Sequence, residues 1–159
     1  MIFVVLGTHE LPFTRLLTEV EQLIEQGVIK EEVVVQSGHT TFHSDNMELI
    51  PFMSFADMDA TYDKARLIIA HGGTGSIITG VKKMKPVLAV PRLAEFNEHN
   101  DDHQLEIVEQ FQEAGHIIGV KTPEQLTDAI NEAADFEPVP FQSGKEKILK
   151  ILEDFIDQA

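Results

Sequence analysis

The residues with the clearest chemical potential are His71-Gly72-Gly73-Thr74-Gly75-Ser76, which follow the apolar run Leu67-Ile68-Ile69-Ala70 and precede Ile77, Ile78 and Val81. A strand, a glycine-rich turn and a helix start form an anion-binding device: the glycines let backbone approach a ligand, and the first helical N–H groups point at negative charge. A phosphate is the expected anion, with His71 placed to donate to it. The competing reading is a tight turn serving chain geometry, with His71 in a structural hydrogen bond. His9 and Glu10 are a titratable pair after the first apolar run, suited to acid–base work or to contacts at a site rim, or else a solvated loop pair. His99 and His103 are four apart with Asp102 before the second, a spacing that could share a helix face and hold zinc. Asp101 and Asp102 equally suit the N-terminus of a helix, where carboxylates complement the dipole. No metal is expected.

Several chemistries drop out. No Lys-Ser or Lys-Thr follows the glycines, so this is not a Walker loop. Ile78 stands where a dinucleotide fingerprint needs its third glycine. No Gly-x-Ser-x-Gly nucleophile elbow is present. His39, His43 and His116 have no companions that single them out.

The elements that must position these residues alternate. Ile2 to Leu6 is a continuous β-rich run, as for a strand buried on both faces. Phe13, Leu16, Leu17, Val20, Leu23 and Ile24 recur at helical spacing, with Gly27 as a stop. Further strands are expected at 33–35, 47–50, 67–70, 87–90 and 117–120. Helices are expected from Ser54, spaced with Asp57 like a capping box, to about Ala65; after the glycine turn to about Lys83; through Leu105, Val108 and Phe111; and from Pro123, capped by Thr122. Strands alternating with helices imply a Rossmann-like α/β fold in three layers with a parallel sheet, whose ligands bind at the strands' carboxyl ends. Gly7-Thr8, Gln36-Ser37-Gly38, His71 to Ser76 and Pro91-Arg92 all fall at such ends. Residues 1–135 read as one domain. Residues 136–143, with Pro138 and Pro140, read as a linker to an amphipathic helix carrying Ile148, Leu149, Leu152, Phe155 and Ile156, which is expected to pack on the domain or on a partner.

Composition narrows the function classes. The chain has 159 residues, 43% hydrophobic and 25% charged, which fits one globular domain with one sizeable core. Its net charge of −15 disfavours nucleic acid and anionic headgroups as partners. Cysteine is absent, which rules out disulfides and thiolate metal sites. No stretch reaches the roughly 20 apolar residues of a membrane span, and the opening run lacks the basic lead-in of a signal peptide. A soluble cytoplasmic chain is expected.

Three stretches together carry a resemblance: His71-Gly72-Gly73-Thr74-Gly75-Ser76; Lys85-Pro86-Val87-Leu88-Ala89-Val90-Pro91-Arg92; and Glu98-His99-Asn100-Asp101-Asp102-His103-Gln104. They resemble the C-terminal, donor-binding half of family 28 glycosyltransferases. The opening Phe3-Val4-Val5-Leu6-Gly7-Thr8-His9-Glu10 makes the chain similar to the small stand-alone subunits of bacterial exopolysaccharide and capsule synthesis, and to the soluble subunit of the split eukaryotic transferase of the dolichol pathway. The resemblance implies half of a GT-B fold that binds a UDP-sugar without metal or other cofactor and inverts the anomeric centre. It places Gly7, Thr8 and the helix start after Gly73-Thr74-Gly75-Ser76 near the donor phosphates, with Arg92 and His71 as helpers. Phe52 would face the uracil, and His103 and Gln104 the donor sugar. In the related peptidoglycan transferase a glutamate grips the ribose where Thr79 stands here, so another group is needed, Glu98 or a partner residue. The implied reaction transfers galactose or GlcNAc to a polyprenyl-diphosphate-linked sugar, with His9, Glu10 or a partner residue as base. The implied partner is a membrane-anchored, acceptor-binding subunit that recruits this chain to the inner face of the membrane. The alternatives are a non-catalytic UDP-sugar-binding regulatory or stabilising module and a self-sufficient single-chain enzyme.

Overall fold

The computed structural model describes residues 1–141. Six parallel strands form one sheet: β1 (Ile2–Val5), β2 (Val33–Gln36), β3 (Glu48–Ile50), β4 (Leu67–His71), β5 (Val87–Val90) and β6 (Ile118–Gly119). Their spatial order is β3-β2-β1-β4-β5-β6, the doubly wound arrangement in which the winding direction reverses between β1 and β4. Ile2 of β1 pairs with Val33 on one side and Leu67 on the other, so the three strands start level; β1 and β2 end together at the carboxyl rim and β4 runs one residue further, to His71.

The strands read as unbroken apolar runs because both faces are covered. Ile2, Val4, Leu67 and Ile69 point into one core layer beneath α1 (Thr14–Glu25) and α5 (Leu126–Ala133). Phe3, Val5, Ile68 and Ala70 point into the other, beneath α2 (Phe55–Lys64), α3 (Thr74–Lys82) and α4 (His103–Glu113). The result is the Rossmann-like three-layer α/β fold expected. Gly27, at φ +78°, ends α1 as its position suggests. Ser54 caps α2, its Oγ accepting from the Asp57 amide at 3.1 Å.

Some local expectations need correction. Thr122 makes no side-chain cap; Pro123–Gln125 is a 3-10 turn, and α5 begins only at Leu126. On α4 the buried stripe is Gln104, Ile107, Val108 and Phe111, with Leu105 only half-buried. The described part of the linker, residues 136–141, is packed. Phe136 lies against the first core layer, the Val139 amide donates to the Gly115 carbonyl (3.0 Å), and the Phe141 ring sits 4.5 Å from that of His116. The amphipathic helix expected near Ile148 to Ile156 lies outside the described residues. Among the described residues no helix is long and apolar enough to cross a membrane.

Candidate functional site

A cavity of about 350 Å³ opens at the carboxyl ends of β1 and β4, where the winding reverses. Of the residues singled out by sequence, Gly7, Thr8, Phe52, His71, Gly73, Gly75 and Ser76 line it, and Gln36, Met53 and Met58 join them. One wall is the N-terminus of α3. Its first intrahelical bond runs from the Ile77 amide to the Gly73 carbonyl (3.2 Å), so the amides of Thr74, Gly75 and Ser76 have no acceptor in their own helix. Tyr62, buried and packed edge-on against Phe3, donates its hydroxyl to the Ser76 carbonyl (3.0 Å) and steadies this turn from below; burial pushes its pKa up to about 12. Phe52, 57% exposed, stands at the opposite wall with its ring 5.2 Å from that of His39.

Gln36 is the residue that sequence reading under-used. Its amide nitrogen donates to the carbonyls of Gly7 (2.9 Å) and Pro51 (3.0 Å), and its oxygen accepts from the Gly7 amide (2.9 Å). One buried side chain therefore fixes the turn after β1 and the end of β3, setting the floor between Gly7 and Phe52. The available signal was a polar residue closing the apolar run Val33-Val34-Val35.

His71 is buried under that floor. Its Nδ1 lies 3.1 Å from Gln104 Nε2 and its Nε2 3.2 Å from Ser76 Oγ. Burial, with the Arg92 guanidinium second, lowers its pKa to about 3, so the imidazole is neutral. The glycines around it are explained by this ring as much as by any ligand. A Cβ on Gly73 would stand 2.6 Å from His71 Nε2, and one on Gly7, which also sits at φ +76°, would stand 2.5 Å from the same atom. Gly72 is needed because a Cβ there would meet that of Gln104 at 2.8 Å. Gly75 differs: a Cβ there would meet nothing within 4 Å, which leaves open space over the helix end.

Several expected contacts resolve into structural roles. Arg92 is only 1% exposed, and its guanidinium donates to the carbonyls of Leu6 (2.7 Å), Leu11 (2.7 Å) and Glu98 (3.1 Å) rather than into the cavity. It clasps the turn after β1 to the loop after β5. Glu98, 2% exposed, is locked to Arg15 by two 2.9 Å bonds and accepts from the Leu93 amide, so its carboxylate has no freedom to reach a ribose. The Gln104 oxygen accepts from the amides of Gly72 and Arg92 (3.0 Å each), so its side chain is held beneath the cavity. His103 lies in the first turn of α4, its Nδ1 3.6 Å from the Glu106 carboxylate, and is not among the cavity-lining residues. The Asp101 carboxylate accepts from the His103 amide (2.9 Å), the helix-terminal role weighed against zinc, whereas Asp102 makes no cap bond to α4 and instead accepts from the Ala94 amide of the loop after β5 (2.9 Å). No cluster that could hold a metal occurs among the described residues.

His9 and Glu10 sit on the rim. His9 Nδ1 accepts from the Leu11 amide (3.0 Å), so in the neutral ring the proton is on Nε2, which is then a donor rather than a base. Burial, then His99, whose ring lies 4.5 Å away, and then Arg92 lower its pKa. Glu10 is exposed.

The glycosyltransferase family 28 C-terminal domain matches this chain over residues 1–159. Among curated relatives, a UDP-N-acetylglucosamine transferase subunit, ALG13, from Candida albicans is 31% identical over 93 residues, covering 57% of this chain and 30% of that protein. The subunit of the same name from Eremothecium gossypii is 27% identical over 112 residues, covering 68% and 53%. The chain thus spans about half or less of the length of these relatives. Among solved structures, ALG13 in solution superposes with a TM-score of 0.57 at 20% identity, covering 95% of this chain and 93% of that one. MurG from Acinetobacter baumannii superposes at 0.58 and 19%, covering 83% and 41%. At those identities the structures establish a shared fold.

Proposed function

The chain belongs to the glycosyltransferase family 28 C-terminal domain family, and from that premise we propose that it is the donor-binding half of an inverting glycosyltransferase completed by a membrane-anchored partner chain. The observation that carries this reading is the cavity at the winding reversal. It has the open amides of Thr74, Gly75 and Ser76 on one wall and Phe52 on the other. A UDP-sugar fits that division: diphosphate at the helix end, uracil against Phe52, hexose toward Thr8 and the rim. Among the described residues no carboxylate lines the cavity, so they offer N–H and O–H donors to the diphosphate and no ligand set for a divalent ion. Binding is therefore proposed to be metal-independent.

In the reaction an acceptor hydroxyl attacks the anomeric carbon from the face opposite the phosphate. The C1–O bond breaks, UDP leaves with the electron pair, and the configuration inverts. Negative charge grows on the β-phosphate, where donors fixed in advance stabilise the transition state most. The hydroxyl proton needs a base that the described cavity lining does not supply: among the described residues His71 is its only titratable group, and that ring is neutral with a pKa of about 3. Glu10 on the exposed rim, or a residue of the partner, fills this role. With Glu98 buried and locked to Arg15, the ribose is assigned to the neighbouring cavity of about 260 Å³ that Asp59, Thr79 and Gly75 line. The Asp59 carboxylate also pairs with Lys83 (2.9 Å), but it is half-exposed and one of its oxygens remains for the ribose hydroxyls.

The proposed sugar is GlcNAc or galactose, and the likeness to UDP-N-acetylglucosamine transferase subunits supports the first. The proposed acceptor is a polyprenyl-diphosphate-linked sugar of exopolysaccharide or capsule synthesis, met at the inner face of the membrane through the partner. Calorimetric titration with UDP, UDP-GlcNAc, UDP-galactose and UDP-glucose, with and without magnesium, tests the donor half. Metal-independent binding with preference for one sugar is expected. Absence of binding, alone and with the partner, refutes it. Binding without turnover on any lipid-linked acceptor points instead to a non-catalytic UDP-sugar module.

A further inference from the structure

The hydrogen bonds beneath the cavity have a direction. Gln104 Oε1 accepts from two backbone amides, Gly72 and Arg92, each at 3.0 Å. Turned over, the side-chain amide would set its NH₂ against two N–H donors, so its orientation is fixed. Nε2 must therefore be the group facing His71 Nδ1 at 3.1 Å, and it can only donate. Nδ1 carries a lone pair, and the ring proton sits on Nε2, 3.2 Å from Ser76 Oγ. Ser76 Oγ accepts that proton. Its own hydrogen finds no acceptor among the described residues and is left to the cavity that Ser76 lines.

We propose that Gln104 and His71 are positioning residues that hold the Ser76 hydroxyl as an outward-facing donor to a diphosphate oxygen of the bound nucleotide. This rests on the donor-site reading above and deepens it. The reversed tautomer would set two N–H donors head-on at Gln104. It would also present a lone pair to Ser76, which would then turn its proton inward and face the anion with oxygen lone pairs. The relay thus fixes the sign of the Ser76 dipole. It also gives Gln104 an effect on the nucleotide without contact, since its oxygen already serves two buried amides. The preferred ligand is an ionised diphosphate; uridine, which lacks one, gains nothing from the relay.

The test joins a spectroscopic measurement with a mutant cycle on the full chain. Long-range ¹⁵N–¹H spectra of the wild-type histidines at neutral pH should show His71 as the neutral Nε2–H tautomer, a readout independent of nucleotide. UDP titration should show Ser76→Ala binding about 10–100-fold more weakly, as expected for loss of a hydrogen bond to a charged group, with Ser76→Thr restored to within a few-fold. Uridine binding should be indifferent to either change. Gln104→Met should weaken UDP, yet add little once Ser76 is already alanine. If Gln104→Met does not fold, the tautomer and the Ser76→Thr rescue decide the matter. An Nδ1–H or doubly protonated ring, additive losses in the cycle, or failed rescue by threonine overturns the relay while wild-type UDP binding stands. A wild-type chain that ignores UDP, even with the partner, overturns the donor-site reading and the anion assignment with it, whatever the tautomer.

Discussion

Replacing Gly75 with alanine should separate stability from binding. Gly75 is the second residue of α3, and a Cβ built on it meets no atom within 4 Å. The substitution therefore costs nothing in packing. It restricts the unfolded chain and suits a helix, worth about 0.5–1 kcal/mol in favour of the folded state. For a chain of this size that is a rise of about 1–4 °C in Tm. A helical Cβ tilts toward the N-terminus, here toward the space before the open amides of Thr74, Gly75 and Ser76. A methyl group there holds a phosphate off those amides. Loss of one charge-assisted hydrogen bond, about 1.5–3 kcal/mol, corresponds to UDP binding about 10–100-fold more weakly. Thermal unfolding without ligand and calorimetry with UDP read the two effects separately. A variant that binds UDP as the wild type does would show that the phosphate lies elsewhere. A variant less stable than the wild type would show that the space over Gly75 is filled.

Gly73→Ala should behave in the opposite way, because its Cβ meets the His71 ring; crowding of this kind costs about 1–3 kcal/mol in urea unfolding. Arg92→Met strands the buried carbonyl of Leu6 and leaves those of Leu11 and Glu98 without their charged donor, so a loss of about 3–5 kcal/mol is expected, with Arg92→Lys recovering only part because one ammonium cannot span three acceptors. His71 binds a proton near pH 6.5 when unfolded but only near pH 3 in the fold, so the unfolded chain holds more protons between these values and stability falls as the pH drops from 6.5 toward 3, by a limit on the order of 4–5 kcal/mol. Urea midpoints across that range should show this slope, and His71→Asn should flatten it. Phe52→Ala should weaken UDP while leaving the urea midpoint nearly unchanged, since more than half of the side chain is exposed.

The sheet was legible in the sequence because continuous β-branched runs admit few alternatives once helices alternate with them. The rim was legible for the same reason: polar and glycine residues closing such runs must lie at strand ends. What could not be read was the direction of individual side chains. Arg92 and Glu98 follow a strand as ligand-binding residues do, yet both turn inward because loop carbonyls and Arg15 satisfy them there. The partnership of Gln104 with His71 spans 33 positions and depends on the first turn of α4 meeting the end of β4, which no local pattern encodes. The glycines at 7 and 73 announced a close approach, but not that a neighbouring imidazole would be what approaches.

The packed strap at residues 136–141 has a consequence for how the molecule opens. Phe136 belongs to the core layer under α1 and α5, whereas Phe141 packs with the layer under α2, α3 and α4. Between them the chain rounds the β6 edge of the sheet, held where the Val139 amide meets Gly115 and the Val139 carbonyl meets His116 Nδ1 at 2.6 Å. A fluctuation that lifts α5 away must drag this crossing with it and expose apolar surface on both sides of the sheet at once. The two faces are thereby stitched into one cooperative unit, and the amides of α5, although near a sheet edge, should exchange with solvent on the timescale of global unfolding rather than of local fraying.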